Sequence, residues 1–323
     1  MKKIPVLAAL AAMLCACAPD SSIPYTVYRI GDGVYRIEDS NASNPAGESF
    51  DAEGNKTHFN NCSDMYLING RDQALLIDLS NRIDWADNAD EALRDIVYDR
   101  IGDRKLTITF THNHGDHTGM LEAFSSEPEV YFALPRTDFE KLSDRFPEER
   151  SYLYDEEHEF DLGGGTVVES LPVPGHTAGS VVFFLDGKDI MFSGDAIGSG
   201  HGVWIFDRQG FENYVKGLNT LNAYLDGSDI DRQALRIFGG HFWQKDWFPE
   251  LGDGEFGISY IEDMTALVSQ ICSGQAAREP SGLDHPVLDT YFRYGSAIVV
   301  WNSGIADEMF GAEGEASGAT ASR

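Results

Sequence analysis

The stretch THNHGDHTGM, residues 111–120, places three histidines and an aspartate within six consecutive positions. The whole chain of 323 residues contains nine histidines, so a third of them lie in this stretch. It directly follows LTITF, residues 106–110, a short β-branched run that predicts a buried strand. The histidine-rich segment is therefore expected where the chain leaves a sheet.

This loop offers side chains in two directions. Alternate side chains of an extended segment point the same way, so His112 and His114 can converge on one point. Gly115 allows a bend that aims Asp116 and His117 elsewhere. A lone histidine is usually an ordinary polar residue, but four potential ligands in six positions indicate metal binding. One short loop can thus supply ligands to two ions, and imidazole with carboxylate suits zinc, iron or manganese.

Three later segments share one arrangement, an apolar strand followed by small residues and then one side chain that can bind a metal. PVPGHTAGS contains His176, FSGDAIG contains Asp195 and FGGHFWQ contains His241. Ligands at strand ends that share a sheet edge can meet in one cleft.

The rest of the chain predicts an α/β protein. Residues 25–39 alternate around Gly-Asp-Gly and predict a hairpin, and residues 86–100 have helical spacing. The other predicted elements are strands in MYLING and ALLIDLS and at 106–110, 130–133, 166–171, 180–185, 189–194, 234–238 and 296–302, with helices at 136–145, 211–225 and 260–271. This order favours two mixed sheets packed together with helices outside.

The motifs HxHxDH, GHTxGS, SGD and GGH, in this order, resemble the metallo-β-lactamase superfamily over roughly residues 25–302. The resemblance implies a four-layer αββα sandwich with a metal cleft along one edge. It also implies that Asp78, in ALLIDLS, lies behind the ligands and orients their loop. The implied ligands are His112, His114 and His176 for a first metal, Asp116, His117 and His241 for a second, and Asp195 as a bridge between them.

Asp195 indicates the hydrolase branch of that superfamily, which is similar to glyoxalase II and lactonases, since β-lactamases of this fold usually lack the aspartate. The resemblance implies two divalent ions, most simply Zn²⁺, with Fe or Mn as alternatives. Two such ions would share a water and lower its pKa towards ~7, giving a bridging hydroxide that attacks an ester, lactone or related bond. Asp116 or Asp195 is expected to carry the proton.

Other functions fit the same motifs. Persulfide dioxygenases, which use one iron and dioxygen, resemble this set, and β-lactamase activity is a further alternative. A binding lipoprotein that kept the fold without catalysis is a third. Substrate contacts are expected from His201 and Trp204, which follow the bridging ligand, and from Trp243 beside the last one.

The composition is strongly acidic, with 24 Lys and Arg against 53 Asp and Glu and a formal net charge of -29. Such a charge repels polyanions, so a small-molecule substrate is expected rather than nucleic acid. Acidity that only confers solubility explains the same balance. The oligomeric state is left open.

Residues 1–20 predict a bacterial lipoprotein-type signal peptide, with Lys2 and Lys3 before an apolar segment too short to span a bilayer. LCAC resembles a lipobox in which Cys17 is lipidated, which would anchor the protein to a membrane surface outside the cytoplasm. An ordinary secretory signal cut near Ala18 is the alternative. The hydrolase domain is expected at residues 21–310, and residues 311–323 predict a disordered tail.

Two cysteines remain, Cys62 and Cys272. An exported protein can form a disulfide, but nothing in the sequence brings these two together. Two independent, buried thiols are the favoured interpretation.

Overall fold

The computed structural model of the protein covers the parts of the chain that carry the motifs. The described residues are 24–39, 49–50, 56–58, 62–187, 189–200, 202–242, 244, 256–283 and 285–311. The predicted signal peptide with Cys17, and the predicted tail beyond Gly311, lie outside these residues and stay predictions.

The strands are the main elements of the described chain. In chain order they are β1 (Tyr25–Gly31), β2 (Val34–Asp39), β3 (Ser49–Phe50), β4 (Lys56–His58), β5 (Asp64–Asn69), β6 (Gln73–Ile77), β7 (Lys105–Thr109), β8 (Val130–Pro135), β9 (Ser151–Tyr154), β10 (His158–Asp161), β11 (Val167–Pro172), β12 (Val181–Leu185), β13 (Ile190–Gly194), β14 (Gly202–Trp204), β15 (Arg236–Gly239), β16 (Ala277–Pro280), β17 (Thr290–Tyr294) and β18 (Ala297–Trp301).

The helices range from single turns to long amphipathic segments. They are α1 (Ala89–Ile101), α2 (Gly115–Thr118), α3 (Glu122–Ser125), α4 (Arg136–Phe139), α5 (Arg208–Gly227), α6 (Ile258–Cys272) and α7 (Ser303–Phe310), with 3₁₀ helices at Glu140–Arg145 and Glu148–Arg150. Within the described ranges, no helix is both long and apolar enough to cross a membrane.

Two sheets form the centre of the fold. The larger has seven strands in the order β1-β2-β5-β6-β7-β8-β9, and the second has five in the order β10-β11-β12-β13-β15. Both mix parallel and antiparallel pairs, and the predicted β1–β2 hairpin is confirmed.

Strand β6 shows why the sheets are covered on both faces. Successive side chains of a strand point to opposite faces. Leu75 and Ile77 pack in the core between the two sheets, whereas Ala74 and Leu76 pack in the core under α1. The second sheet packs its other face against α5 and α6. The order helix, sheet, sheet, helix is the four-layer αββα sandwich that the sequence predicts.

A third sheet, β14-β18-β17-β16, adds to this sandwich and was predicted only at β18. Phe292 of β17 and Trp301 of β18 pack into the same core as α5 and α6. On the other face, Ile298 and Val300 form a small cluster with Leu288. The C-terminal part of the chain thus extends the helical side of the second sheet.

Two sequence predictions need correction. The single helix predicted at 136–145 is instead α4 followed by a 3₁₀ helix, because Glu140–Arg145 has no buried side chain to hold a regular amphipathic helix. Cys62 is buried as expected, but Cys272 is exposed, since it ends α6 beside the buried stripe of that helix. Cys272 is a free thiol.

Candidate metal centre

The candidate ligands lie on loops at strand ends. His112 and His114 follow β7, His176 precedes β12, Asp195 follows β13 and His241 follows β15. Strand β12 runs antiparallel to β13, and β15 runs parallel to it. The start of β12 and the ends of β13 and β15 therefore meet at one edge of the second sheet.

His112, His114 and His176 form a first group whose ligand atoms all lie within 4.8 Å of one another. His176 Nε2 is 2.9 Å from His114 Nδ1. The ring centroids are 4.6 Å apart for His112 and His114 and 4.8 Å apart for His112 and His176. Three imidazoles are thus directed at one small volume.

Asp116, His117 and His241 form a second group with the same closeness. Short helix α2 carries Asp116 and His117, and the loop after β15 supplies His241. His241 Nε2 lies 3.5 Å from Asp116 Oδ2. The two groups adjoin, since the rings of His112 and His117 are 4.2 Å apart.

Asp195 lies between the groups. Its Oδ2 is 3.5 Å from His176 Nε2 and 3.3 Å from His241 Nε2. Its Oδ1 is 3.6 Å from His117 Nε2. The seven side chains selected from the sequence are therefore one cluster, with a carboxylate at its middle.

The histidine tautomers fit a metal centre. Four of the five rings direct Nδ1 at an oxygen outside the cluster, which turns Nε2 inward, as in metal-binding histidines. The accepting oxygens are Thr111 Oγ1 for His112 at 3.0 Å, Asp78 Oδ2 for His117 at 2.9 Å, the Trp204 carbonyl for His176 at 2.9 Å, and the Cys62 carbonyl for His241.

Unpaired buried atoms point to the same conclusion. His112 Nε2, His117 Nε2 and Asp195 Oδ1 have no hydrogen-bond partner among the described residues. A buried polar atom without a partner costs about 1–3 kcal/mol. Cations bound to these atoms would remove that cost, so the donor set fits metal ions.

The two groups differ in charge. Burial lowers the pKa of His112, His114 and His176, that of His176 to about 4, which keeps these rings neutral. Burial by itself would lower the pKa of His117 and His241 too, but Asp195 and nearby carboxylates outweigh it. They raise the pKa of His241, and that of His117 to about 10. The second group therefore attracts positive charge more strongly.

Comparisons with known proteins identify the family. The family model "Metallo-beta-lactamase superfamily" matches residues 63–241, more than half of the chain, and this range contains all seven candidate ligands. The protein belongs to the metallo-β-lactamase superfamily.

Curated relatives in this superfamily are distant. The chain is 26% identical over 168 residues to the atrochrysone carboxyl ACP thioesterase of Emericella nidulans, covering 49% of this chain and 47% of the relative. It is 28% identical over 178 residues to the hydroxyacylglutathione hydrolase of Alkalilimnicola ehrlichii, covering 55% of this chain and 61% of the relative. The chain thus spans about half the length of these relatives.

Solved structures agree on the superfamily fold. A metallo-β-lactamase from Pontibacter korlensis is similar with a TM-score of 0.52 at 16% identity, over 76% of this chain and 99% of that one. This likeness confirms the predicted fold.

Asp78 supports the first loop from behind. It is buried, and its Oδ1 accepts a hydrogen bond from the Thr111 N–H at 2.7 Å. Its Oδ2 accepts from Thr111 Oγ1 at 2.8 Å and from His117 Nδ1 at 2.9 Å. Because Thr111 Oγ1 also accepts from His112, this carboxylate orients one histidine of each group.

Replacing Asp78 with asparagine is expected to weaken zinc binding at the second group about 10–100-fold, as loss of such supporting partners usually does. An amide cannot accept on both sides, so the His117 ring loses its fixed orientation. Titration with zinc against a chromophoric chelator measures the effect. Asp87→Asn, at an exposed aspartate, is the matched control, and equal affinities in the two variants would contradict the role of Asp78.

The last ligand loop is held by β5 and the residues before it, which the sequence did not reveal. Besides the bond from His241 to the Cys62 carbonyl, three further hydrogen bonds join the two segments. They run from the Asp64 N–H to the Gly240 carbonyl at 2.8 Å, from the Phe242 N–H to Asp64 Oδ2 at 2.7 Å, and from the Tyr66 hydroxyl to the Gly239 carbonyl.

The predicted substrate contacts are only partly described. His201 and Trp243 lie outside the described residues and stay predictions. Trp204 contacts the centre through its carbonyl, while its half-buried indole packs on the cluster around Leu288. A substrate contact of that indole also stays a prediction.

Phe206 is the aromatic neighbour of the first group, and sequence reasoning missed it. Its ring centroid lies 5.9 Å from that of His114 and 5.6 Å from that of His176. His285 packs on it at 6.1 Å and is exposed, as expected of a surface residue. Phe206 lies two residues after Trp204, the last residue of β14, so its closeness in sequence to Trp204 was the available signal.

Gly115 is not what permits the bend in the first loop. It begins α2 outside the left-handed region, and a Cβ there would meet no heavy atom of the described residues within 4 Å. The change of direction occurs because His114 is extended, with φ -65° and ψ 152°, directly before a helical turn.

Proposed function

We propose that the protein is a hydrolase with two metal ions, which cleaves an ester, lactone or thioester bond in a small molecule. One observation carries the proposal, the position of the Asp195 carboxylate within 3.5 Å of Nε2 atoms from both ligand groups. A carboxylate so placed suits a bridge between two divalent ions. The relatives named as a thioesterase and a hydroxyacylglutathione hydrolase support an acyl substrate.

Zinc is the proposed ion, with iron or manganese as alternatives. The candidate donors are five imidazoles and two carboxylates, without a thiolate, and this set suits zinc and other borderline divalent ions. When bound, such ions supply Lewis-acid chemistry, which activates water and polarises a carbonyl.

The residues of the chain have separate proposed tasks. The Asp116 side chain is 19% exposed, against 9% for Asp195, so Asp116 is the carboxylate nearer to solvent. We assign the Asp116 carboxylate to accept the proton of the attacking water and to return it to the leaving group. Asp195 holds the two ligand groups in position relative to each other. Phe206 excludes water from one side of the first group.

A substrate screen with zinc-loaded protein tests the proposal. The substrates are a lactone, an aryl ester, an acyl thioester, a phosphodiester and a chromogenic cephalosporin. We expect hydrolysis of at least one of the first three, and a fall in kcat/KM of about 10³-fold or more in His114→Ala, since several kcal/mol of stabilisation depends on the metals. His158→Ala, in β10 and away from the cluster, is the control and should stay within about threefold.

Metal analysis and oxygen uptake separate the alternatives. One iron per chain together with oxygen consumption on a persulfide would replace the hydrolase proposal with a dioxygenase. Turnover of the cephalosporin alone would make the protein a β-lactamase. Failure of all five substrates with two zinc ions bound would remove the proposed reaction.

The setting of this activity is also a proposal. The net charge of -29 supports an uncharged or cationic small molecule rather than nucleic acid as the partner. A lipid on Cys17 would hold the enzyme at a membrane surface outside the cytoplasm.

A further inference from the structure

A second buried carboxylate, Asp138, lies behind the first ligand group. It belongs to the single turn α4 after β8, and 7% of its surface is exposed. None of the motifs contains it. The proposed reaction does not use it either, since it belongs to none of the groups whose atoms could hold a metal.

Asp138 joins the two loops that carry the first group. Its Oδ2 accepts from the Asn113 N–H at 3.1 Å and from Thr177 Oγ1 at 2.7 Å. Its Oδ1 accepts from the Gly179 N–H at 2.8 Å. Its own carbonyl accepts from Asn113 Nδ2 at 3.1 Å.

The hydrogen-bond partners of Asp138 are sequence neighbours of the histidines in the first group. Asn113 lies between His112 and His114, and Thr177 directly follows His176. One carboxylate therefore fixes the backbone beside all three histidines of the group. Hydrogen bonds to an ionised acceptor are about twice as strong as neutral ones, so this connection is stiff.

Gly179 packs closely against Asp138, which leaves no room for a side chain at this position. A Cβ at this glycine would lie 2.7 Å from both the backbone nitrogen and Oδ1 of Asp138. Gly179, the second glycine of the GHTxGS motif, is thus required for the close approach of the Asp138 carboxylate. This explains a motif residue that binds no metal.

The second group is supported by other residues. Asp78 holds His117, and the residues around Cys62 hold the loop of His241. Asp138 shares no hydrogen bond with either support among the described residues. Among the hydrogen bonds of the described residues, Asp138 therefore contacts the loops of the first group alone, whereas Asp78 contacts His117 directly and His112 through Thr111.

We propose that Asp138 is the positioning residue of the first metal group, which sets the geometry and affinity of His112, His114 and His176 without touching the metal. The inference rests on the proposed two-metal centre. It predicts that loss of this carboxylate weakens metal binding at the first group and leaves metal binding at the second group unchanged.

Zinc titration in two backgrounds tests this. His241→Ala leaves the first group intact, and His114→Ala leaves the second. We expect Asp138→Asn to weaken zinc binding about 10–100-fold in the His241→Ala background and to leave it within about twofold in the His114→Ala background. Asp144→Asn, at an exposed aspartate six residues later, is the matched control in both.

A spectroscopic readout separates positioning from simple support of the fold. With cobalt(II) in place of zinc, the visible absorption of the first group should shift in Asp138→Asn because the histidines change orientation. Thr177→Val should shift it in the same way, and Thr177→Ser, which keeps the hydroxyl, should restore the normal spectrum. These two substitutions also serve if Asp138→Asn does not fold.

The outcomes distinguish this inference from the proposed function. Equal weakening of both groups, or of neither, would overturn the role of Asp138 while leaving the hydrolase proposal intact. Two bound ions with a selective Asp138 effect but no hydrolysis would support Asp138 and remove the proposed reaction. A full chain that binds no divalent ion would overturn both.

Discussion

Asp195→Asn is expected to lower kcat/KM for the hydrolysed substrate about 10³-fold or more, which corresponds to about 4 kcal/mol of lost transition-state stabilisation. The carboxylate faces Nε2 atoms of His176, His241 and His117 at 3.3 to 3.6 Å. An amide removes the negative charge at this central position and turns an NH₂ group towards at least one lone pair. The two proposed ions would then lose the carboxylate that faces both ligand groups.

Kinetics with the responsive substrate and elemental analysis of bound zinc measure this effect. We expect fewer than two ions per chain in Asp195→Asn. Asp186→Asn changes an exposed aspartate in the turn before β13 and should alter neither kcat/KM nor the zinc content. A variant at Asp195 that keeps two ions and more than a tenth of the activity would show that the bridge is dispensable.

The local pattern of the sequence was sufficient to select the seven side chains that the structure brings together. Each candidate stands on a segment that directly follows or precedes an apolar strand, with glycine or proline nearby, so its segment could be placed without knowledge of the tertiary structure. His112 and His241 were found in this way although 129 positions separate them. Strand ends at one sheet edge then brought them together.

The supporting residues could not be found in the same way. Asp138 is 25 positions from Asn113 and 39 from Thr177, and the Cys62 carbonyl meets His241 across 179 positions. Nothing near Asp138 in the sequence distinguishes it from any polar residue of a surface helix. Its function depends on the crossing of two loops, which only the packed sheets define.

Short strands were missed for a related reason. The β16 sequence AREP is largely exposed and carries no apolar alternation, so it depends on pairing with β17. In contrast, β18 is buried along its whole length and was predicted. Propensity identifies strands that form part of a core, and it fails for edge strands that follow a neighbour.

Gly240→Ala is expected to be as damaging as the loss of a ligand, although glycine 240 binds nothing through a side chain. A Cβ at this position would lie 2.4 Å from Asp195 Oδ1 and 2.8 Å from His117 Cε1. Both atoms belong to fixed, buried groups, so the added methyl must displace Asp195 or His117 of the second ligand group. Overpacking of this kind costs about 1–3 kcal/mol of stability and moves the ligands out of position.

We therefore expect Gly240→Ala to fold with a lowered Tm, to bind fewer than two zinc ions and to lose about 10³-fold in kcat/KM, the scale of a lost metal ligand. Gly115→Ala is the instructive control, because Gly115 lies inside the HxHxDH motif, yet in the described part of the chain an added Cβ would have no heavy atom within 4 Å. Its zinc content and activity should stay within about threefold of the parent. A larger loss of zinc and activity in Gly115→Ala than in Gly240→Ala would mean that Gly115, rather than the close approach of Gly240 to Asp195, determines the geometry of the centre.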